Sequence, residues 1–333
     1  MSRLLVLCGL GVAMVALAVS SNRARADGEA TGAGSGIVNP IEIGTVQWGR
    51  DFDQALKQSG ETGKPVLVLF QEVPGCQGCQ DFGKTVLSQP LLVEAIEDEF
   101  IPVVVYNNQG GQDREILKRY KEPAWNYQVI RFLDAEGKDI IPREDRIWTV
   151  GGTAERMIEA LTAAERSVPK YLQAVAAEGQ SHKLADSAFA MFCYWTGETE
   201  IGKLDGVVAT EAGWLDGHEV TRVKYDPEQI SLLALSEYAR DARCEATKVY
   251  APGKDTQALQ GFRTGQLDHT YRKARASDQN KQMTGYEIIM ALPNLTEMQK
   301  TKLNAYIRSE PDKALAWLSP RQQKTLLEKQ AEK

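Results

Sequence analysis

Cysteine is scarce in this chain, five residues in 333, and only one Cys-x-x-Cys pair occurs among them. A zinc site built from such pairs needs a second one at compatible spacing, so that reading lacks its other half. Positive charge is also short. Thirty-nine Lys and Arg against 45 Asp and Glu give a net charge of -6, which offers no electrostatic case for binding nucleic acid. No internal repeat is present. The long apolar run near the start, Leu4 to Val19, falls short of the roughly 20 residues a spanning helix needs. What remains is the composition of an ordinary globular protein, 25% charged and 43% hydrophobic, long enough for two domains.

Ser2-Arg3, the apolar stretch, polar Ser20 to Arg23 and the small-x-small sequence Ala24-Arg25-Ala26 have the order of a secretory leader, with cleavage expected after Ala26. An uncleaved anchor is the competing reading. Residues 1–26 would then be the signal peptide and 27–45 a flexible linker rich in Gly, Ala, Ser and Thr. Cys8 leaves with the leader. The mature chain keeps Cys76, Cys79, Cys193 and Cys244, in an exported, periplasmic or otherwise extracytoplasmic setting where disulfides persist, tethered to the membrane if the leader stays.

Between residues 46 and 170 the pattern is helix, strand, helix, strand, helix, strand, helix. Phe52, Ala55 and Leu56 mark a first helix ending near Gly60 and Gly63. Pro65 to Phe70 is a continuous apolar strand of the kind buried on both faces. Phe82, Val86 and Leu87 belong to the helix that carries the cysteines. Leu91 to Phe100 reads as helix, Ile101 to Tyr106 as strand, Arg114 to Tyr120 as helix and Val129 to Leu133 as strand. A last helix spans Thr153 to Val168 with Thr153 as N-cap. Val73-Pro74-Gly75-Cys76-Gln77-Gly78-Cys79 therefore stands where a buried strand passes into a helix, and a helix N-terminus favours thiolate.

This order resembles the thioredoxin superfamily, which implies a central mixed sheet flanked by helices. The chain departs from it near Gln128, where members usually place a cis-proline; the nearest proline is Pro123. Val73-Pro74-Gly75-Cys76 and Ser319-Pro320-Arg321-Gln322 also resemble a bacterial family of exported thioredoxin-like proteins named for a Val-Pro-Gly-Sec-x-Thr motif. That resemblance implies that Cys76 is the attacking atom, with Cys79 supplying a second thiol.

After a connector at 171–183, Ala188 to Trp195 reads as an apolar strand ending at Cys193, with Thr196-Gly197-Glu198 opening a helix. Gly206-Val207, Gly217-His218-Glu219-Val220 and Tyr225-Asp226-Pro227 follow, and a helix is expected over Glu228 to Arg243. The order resembles the peptide methionine sulfoxide reductase A family, implying an α+β domain over 184–310. The resemblance assigns Cys193 as nucleophile, Tyr194 and Trp195 as the rings around the sulfoxide methyl group, and Glu219 as the acid. Buried carboxyl character with a raised pKa would suit Glu219. The family's long loop before Gly217 is missing, and a hydrogen-bond donor with it. Two segments compete for the family's later Asp and Tyr: Asp268 to Arg272, offering Asp268 and Tyr271 as substrate-binding residues, and Asp278 to Lys281. Each assignment has a plainer rival: Tyr194 and Trp195 as core aromatics, Glu219 as a strand charge, Cys193 as a buried small hydrophobe.

Residues 311–333 are expected to form a helical tail, with Ser309 and Ser319 as N-caps. Taken together, the sequence predicts an extracytoplasmic oxidoreductase acting on sulfur. Cys193 reduces methionine sulfoxide in an oxidised protein or peptide, Cys244 resolves the product, and Cys76 and Cys79 relay electrons from an extracytoplasmic thiol donor. No cofactor or metal is required. The alternative is a thiol-disulfide or peroxide oxidoreductase whose second half serves as a partner-binding module.

Overall fold

The computed structural model describes residues 39–124, 128–243, 245–253 and 255–332; the expected leader, most of the expected linker and Cys244 lie outside them. Asn39–Lys333 form one compact unit.

Asp51 accepts the Gln54 amide and starts α1 (Phe52–Thr62), which stops at Gly63 in the left-handed region. All six residues of β1 (Val66–Gln71) are buried. It runs parallel to β2 (Ile101–Tyr106) and antiparallel to β3 (Val129–Leu133), so it is the middle strand of this sheet and needs apolar side chains on both faces. Leu67 and Leu69 pack on one side with Phe82, Leu92 and Phe100. Val66, Val68 and Phe70 pack on the other with Phe52, Ile116 and Leu117. Phe52 comes from α1 and Phe100 from the end of α3 (Pro90–Glu99); α2 (Gln77–Thr85), α3 and α4 (Gln112–Tyr120) supply the others.

The next helix, α5 (Val150–Ala163), begins three residues before the expected start. Thr149, not Thr153, caps it by accepting the Gly152 amide, and Thr153 lies buried inside. Val-Gly-Gly is a poor helix opening by propensity. Its glycines are there for contact: a Cβ on Gly151 would come within 2.7 Å of the backbone of Gly179, at the end of α6 (Lys170–Gly179).

A second sheet follows. β4 (Ala185–Ala190) ends sooner than expected, and Tyr194 and Trp195 open α7 (Tyr194–Gly202) instead of closing the strand. Next come β5 (Val207–Leu215) and β6 (His218–Tyr225), joined by Asp216-Gly217, both at positive φ. This two-residue turn stands in place of a long loop. Ser231 caps α8 (Leu232–Asp241), four residues later than expected. β7 (Lys248–Ala251), β8 (Thr264–Gln266) and β9 (Arg272–Lys273) complete the strand order β8-β7-β4-β6-β5-β9.

The chain closes with α9 (Glu287–Met290), α10 (Glu297–Tyr306), α11 (Pro311–Leu315) and α12 (Pro320–Ala331). Thr296 and Ser319 each form a reciprocal capping box, with Gln299 and Gln322. Ser309 caps nothing; Glu310 precedes α11 without a side-chain cap. In α10, Lys302 is fully buried against the carbonyls of Gly202 (2.9 Å) and Leu204 (2.6 Å), and burial lowers its pKa to about 8.

Candidate functional site

Cys76 is the N-cap of α2, and Cys79 sits one turn in. Their sulfurs lie 3.6 Å apart as free thiols, Cys76 exposed and Cys79 buried. The loop that presents them is held from two sides. The Asn108 carbonyl accepts the Val73 amide, and its side-chain NH2 donates to the Pro74 carbonyl. From the opposite flank, buried Glu42 accepts the Gly75 amide at 2.9 Å. Gly75 has to be glycine here, since a Cβ would come within 2.5 Å of the Glu72 carbonyl and 2.7 Å of Cys79 Cβ. The Val73-Pro74 bond is cis. Gln128, buried at the start of β3's approach, stands where a cis-proline was sought.

The two thiols are driven apart electrostatically. The Cys79 amide lowers the Cys76 pKa most, with the Cys79 thiol and the Gly78 amide assisting against slight burial and the Glu72 charge. Cys76 makes no strict capping hydrogen bond, so the amides of the first helical turn act through their field. Burial, followed by the Cys76 thiol and its charge, pushes Cys79 up to about 12. One sulfur is thereby prepared to attack and the other to remain protonated until it resolves.

Cys193 repeats this position in the second sheet, as N-cap of α7 just beyond β4. The Tyr194 amide donates to Glu219 Oε2 at 3.0 Å, tying the carboxylate to the first turn of that helix. Glu219 Oε1 takes no hydrogen bond among the described residues. The Tyr194 ring meets Trp195 and Trp214 edge-on, at centroid distances of 5.7 and 5.9 Å. Burial, and then the charges of Asp278, Glu219 and Cys193, raise the Tyr194 pKa and keep its hydroxyl protonated. Trp195 Nε1 donates to the Asp278 carbonyl, and Lys281 Nζ lies 5.0 Å over the Trp195 ring. Phe192, directly before the thiol, is 93% exposed.

Residues 47–135 match the thioredoxin-like family model. The match covers the first sheet and the Cys76-Cys79 loop and stops before the second sheet. No curated protein matches the chain. Among solved structures, a chain described as the DsbH oxidoreductase is 22% identical, over 41% of this chain and 96% of that one, with a TM-score of 0.31. The thioredoxin-like domain thus contains the strand, loop and helix that position the dithiol.

Of the other expected site residues, Asp278 to Lys281 is the segment gathered around Trp195 and Tyr194. Asp268 and Tyr271 are not. Asp268 is exposed and accepts from Thr270 within its own turn. Tyr271 donates to Glu211 Oε1 at 2.7 Å and covers Gly213, whereas Tyr194 packs with Ala212. Alternation along β5 puts these on opposite faces of the sheet. His218, His269 and His182 are exposed.

The carboxyl with the character expected of Glu219 is Glu198. It is fully buried, and burial raises its pKa to about 8 despite amide contacts from Asn280, Lys281 and Ala212; Glu219 is only half-buried. Glu198 lies in the predicted helix opening Thr196-Gly197-Glu198, but its partner, the Asn280 amide, is 82 residues away. Glu42 and Asn108 had no local signal at all.

Proposed function

We propose that the protein is a thiol-disulfide oxidoreductase whose Cys76-Cys79 pair supplies electrons to Cys193, and that Cys193 reduces methionine sulfoxide in exported peptides or proteins. The observation that carries the first part is the split pair: adjacent sulfurs at 3.6 Å, one held below its ordinary pKa and the other far above it. Cys76 thiolate attacks a disulfide sulfur and releases one thiolate, which takes up a proton. Cys79 then attacks Cys76, closing the Cys76-Cys79 disulfide and freeing the second thiol.

At the second site, the Cys193 thiolate attacks the sulfoxide sulfur, oxygen passes to Cys193 as sulfenic acid, and methionine leaves as the thioether. Glu219, once it has taken up a proton from solvent, and the protonated Tyr194 hydroxyl, neither Oε1 nor that hydroxyl hydrogen-bonded to another described residue, supply the proton and the donor that the short Asp216-Gly217 turn has removed. Trp195, Trp214 and Phe192 offer the apolar surface for the methyl group and its chain. Cys244, or Cys76 itself, condenses with the sulfenic acid to a disulfide and water, and Cys76 and Cys79 reduce that disulfide. A leader of the kind at residues 1–26 supports export.

Turnover of the two epimers of a methionine sulfoxide peptide by the purified chain with dithiothreitol tests this reading. Reduction of one epimer that is lost in Cys193→Ser supports it. If neither epimer is reduced while a protein disulfide is, the activity is thiol-disulfide exchange alone. The placement of Tyr271 across the sheet from Tyr194 favours that second outcome.

A further inference from the structure

Among the described residues, Glu72 is a charged side chain beside the dithiol that the thiol-exchange reading leaves without a task. Its carboxylate, Cys76 Sγ and Cys79 Sγ all lie within 4.8 Å of one another. It makes no hydrogen bond or ion pair among the described residues, so it is free to turn. We propose that the reduced chain binds one divalent cation of the zinc class through Cys76 Sγ, Cys79 Sγ and a carboxylate oxygen of Glu72.

The distances suit that ion. Zinc-thiolate bonds of about 2.3 Å at tetrahedral angles set a sulfur-sulfur edge of roughly 3.8 Å, and the sulfurs stand at 3.6 Å before any metal enters. A zinc-oxygen bond of about 2.0–2.2 Å sets a sulfur-oxygen edge near 3.5 Å. Glu72 therefore has to close by no more than about 1.3 Å, within the reach of a side-chain rotation. The two sulfurs are fixed by the α2 turn, and the loop between Glu72 and Cys76 is pinned by Asn108 and Glu42, so the ion would find a largely formed site. Thiolate and carboxylate together select a borderline-soft cation over magnesium or calcium. With three protein ligands and Cys76 exposed, the fourth position opens to solvent, where water or a donor from another molecule completes the tetrahedron.

Binding displaces both thiol protons to solvent and uses the electron pairs that thiol exchange needs. The cation and the Cys76-Cys79 disulfide are mutually exclusive, and metal holds the pair reduced and inactive until it is withdrawn. The domain then has a second activity, as a carrier of a thiophilic cation in its reduced state.

The test uses the full chain in a Cys8→Ser/Cys193→Ser/Cys244→Ser background, so that only the pair can supply thiolates. Reduced protein is titrated with Cd2+, read by the ultraviolet thiolate-to-cadmium absorption, with Zn2+ as competitor. We expect saturation at one cadmium per chain, displacement by zinc, no band in the oxidised protein, and an affinity at least about tenfold lower in Glu72→Gln. Glu72→Asp, which keeps a carboxylate, should recover part of that loss, separating ligation from any disturbance of the loop. Absence of a saturable band, a band retained in Cys79→Ser, or equal affinity in Glu72→Gln overturns the site. Disulfide reduction by the same preparations without metal reports on thiol exchange independently, so either activity can fail alone.

Discussion

A single helical turn separates Cys76 from Cys79, and the difference between them is one of exposure and of which amides each sulfur faces. The Cys76 thiol lies below its ordinary value, so its thiolate fraction reaches half at a lower pH than that of an unperturbed cysteine. Alkylation by iodoacetamide, followed residue by residue by mass spectrometry, should show Cys76 reacting with that lowered midpoint and Cys79 staying inert until strongly alkaline pH. In Cys79→Ser the midpoint for Cys76 should shift if the neighbouring thiol contributes; an unchanged profile assigns the whole effect to the amides. Glu198 gives the opposite case. Burial raises its carboxyl from 4.5 to about 8 in the folded chain, so the folded state holds this proton more tightly than the unfolded one. The stability it contributes is complete below pH 4.5, declines as pH rises and is gone above about 8. Glu198→Gln, which stays neutral, should therefore be more resistant to urea than the parent at pH 9, by on the order of 2–4 kcal/mol, and should match it near pH 4. Parallel pH curves for the two proteins would show that Glu198 is not the buried charge.

Helices α5 and α6 meet so closely that no side chain fits between Gly151 and Gly179. Gly151→Ala places a methyl group against backbone and should cost about 1–3 kcal/mol, read as a lower urea midpoint with an unchanged slope. A stability equal to the parent's would mean that the helices separate freely. That contact also explains what could be read from the sequence and what could not. β1 and β2 were legible because a middle strand, and a neighbour packed beneath helices, must be apolar throughout; the cap at Ser319 follows local chemistry. The start of α5 was not legible, because its glycines answer to a residue 28 positions later. The end of β4 was hidden for another reason. Met191 and Phe192 prolong the apolar run, yet Phe192 is exposed and the chain has already turned toward α7. The cysteine pair of the site could be read because its partners are three residues apart. Glu42, Asn108 and Asn280 could not, because folding alone brings them to the thiols or to Glu198. The choice between Tyr271 and the Asp278 to Lys281 segment stayed open in the sequence, since the face Tyr271 occupies is set by β9 pairing with Gly213 and Trp214, a register that no spacing reveals.

Across the whole molecule, the last helix returns to the first sheet's side. Buried Glu94 of α3 accepts from the Ser319 hydroxyl at 2.7 Å and from the Arg321 amide at 2.6 Å, while Arg321 pairs with Glu97. A carboxylate from α3 thus serves the N-terminus of α12, more than two hundred residues away, in addition to that helix's own capping box. From the other direction, Gln299 of α10 donates to the Trp317 carbonyl and to Gln322 Oε1, so the start of α12 is fastened to both parts of the unit. A surface tail would not need three buried polar partners. Removing one of them strands the others, and a buried donor without an acceptor costs about 1–3 kcal/mol. Glu94→Ala should therefore loosen α12 locally, raising amide exchange over Pro320–Ala331 by roughly 10–100-fold, the equivalent of that energy, with little change in the central strand β1. If exchange in α12 stays at the parent rate, the capping box alone holds the helix and Glu94 is a spectator. If β1 accelerates in step with α12, the joint is part of the global folding unit, and the thioredoxin-like domain depends for its stability on the far end of the chain.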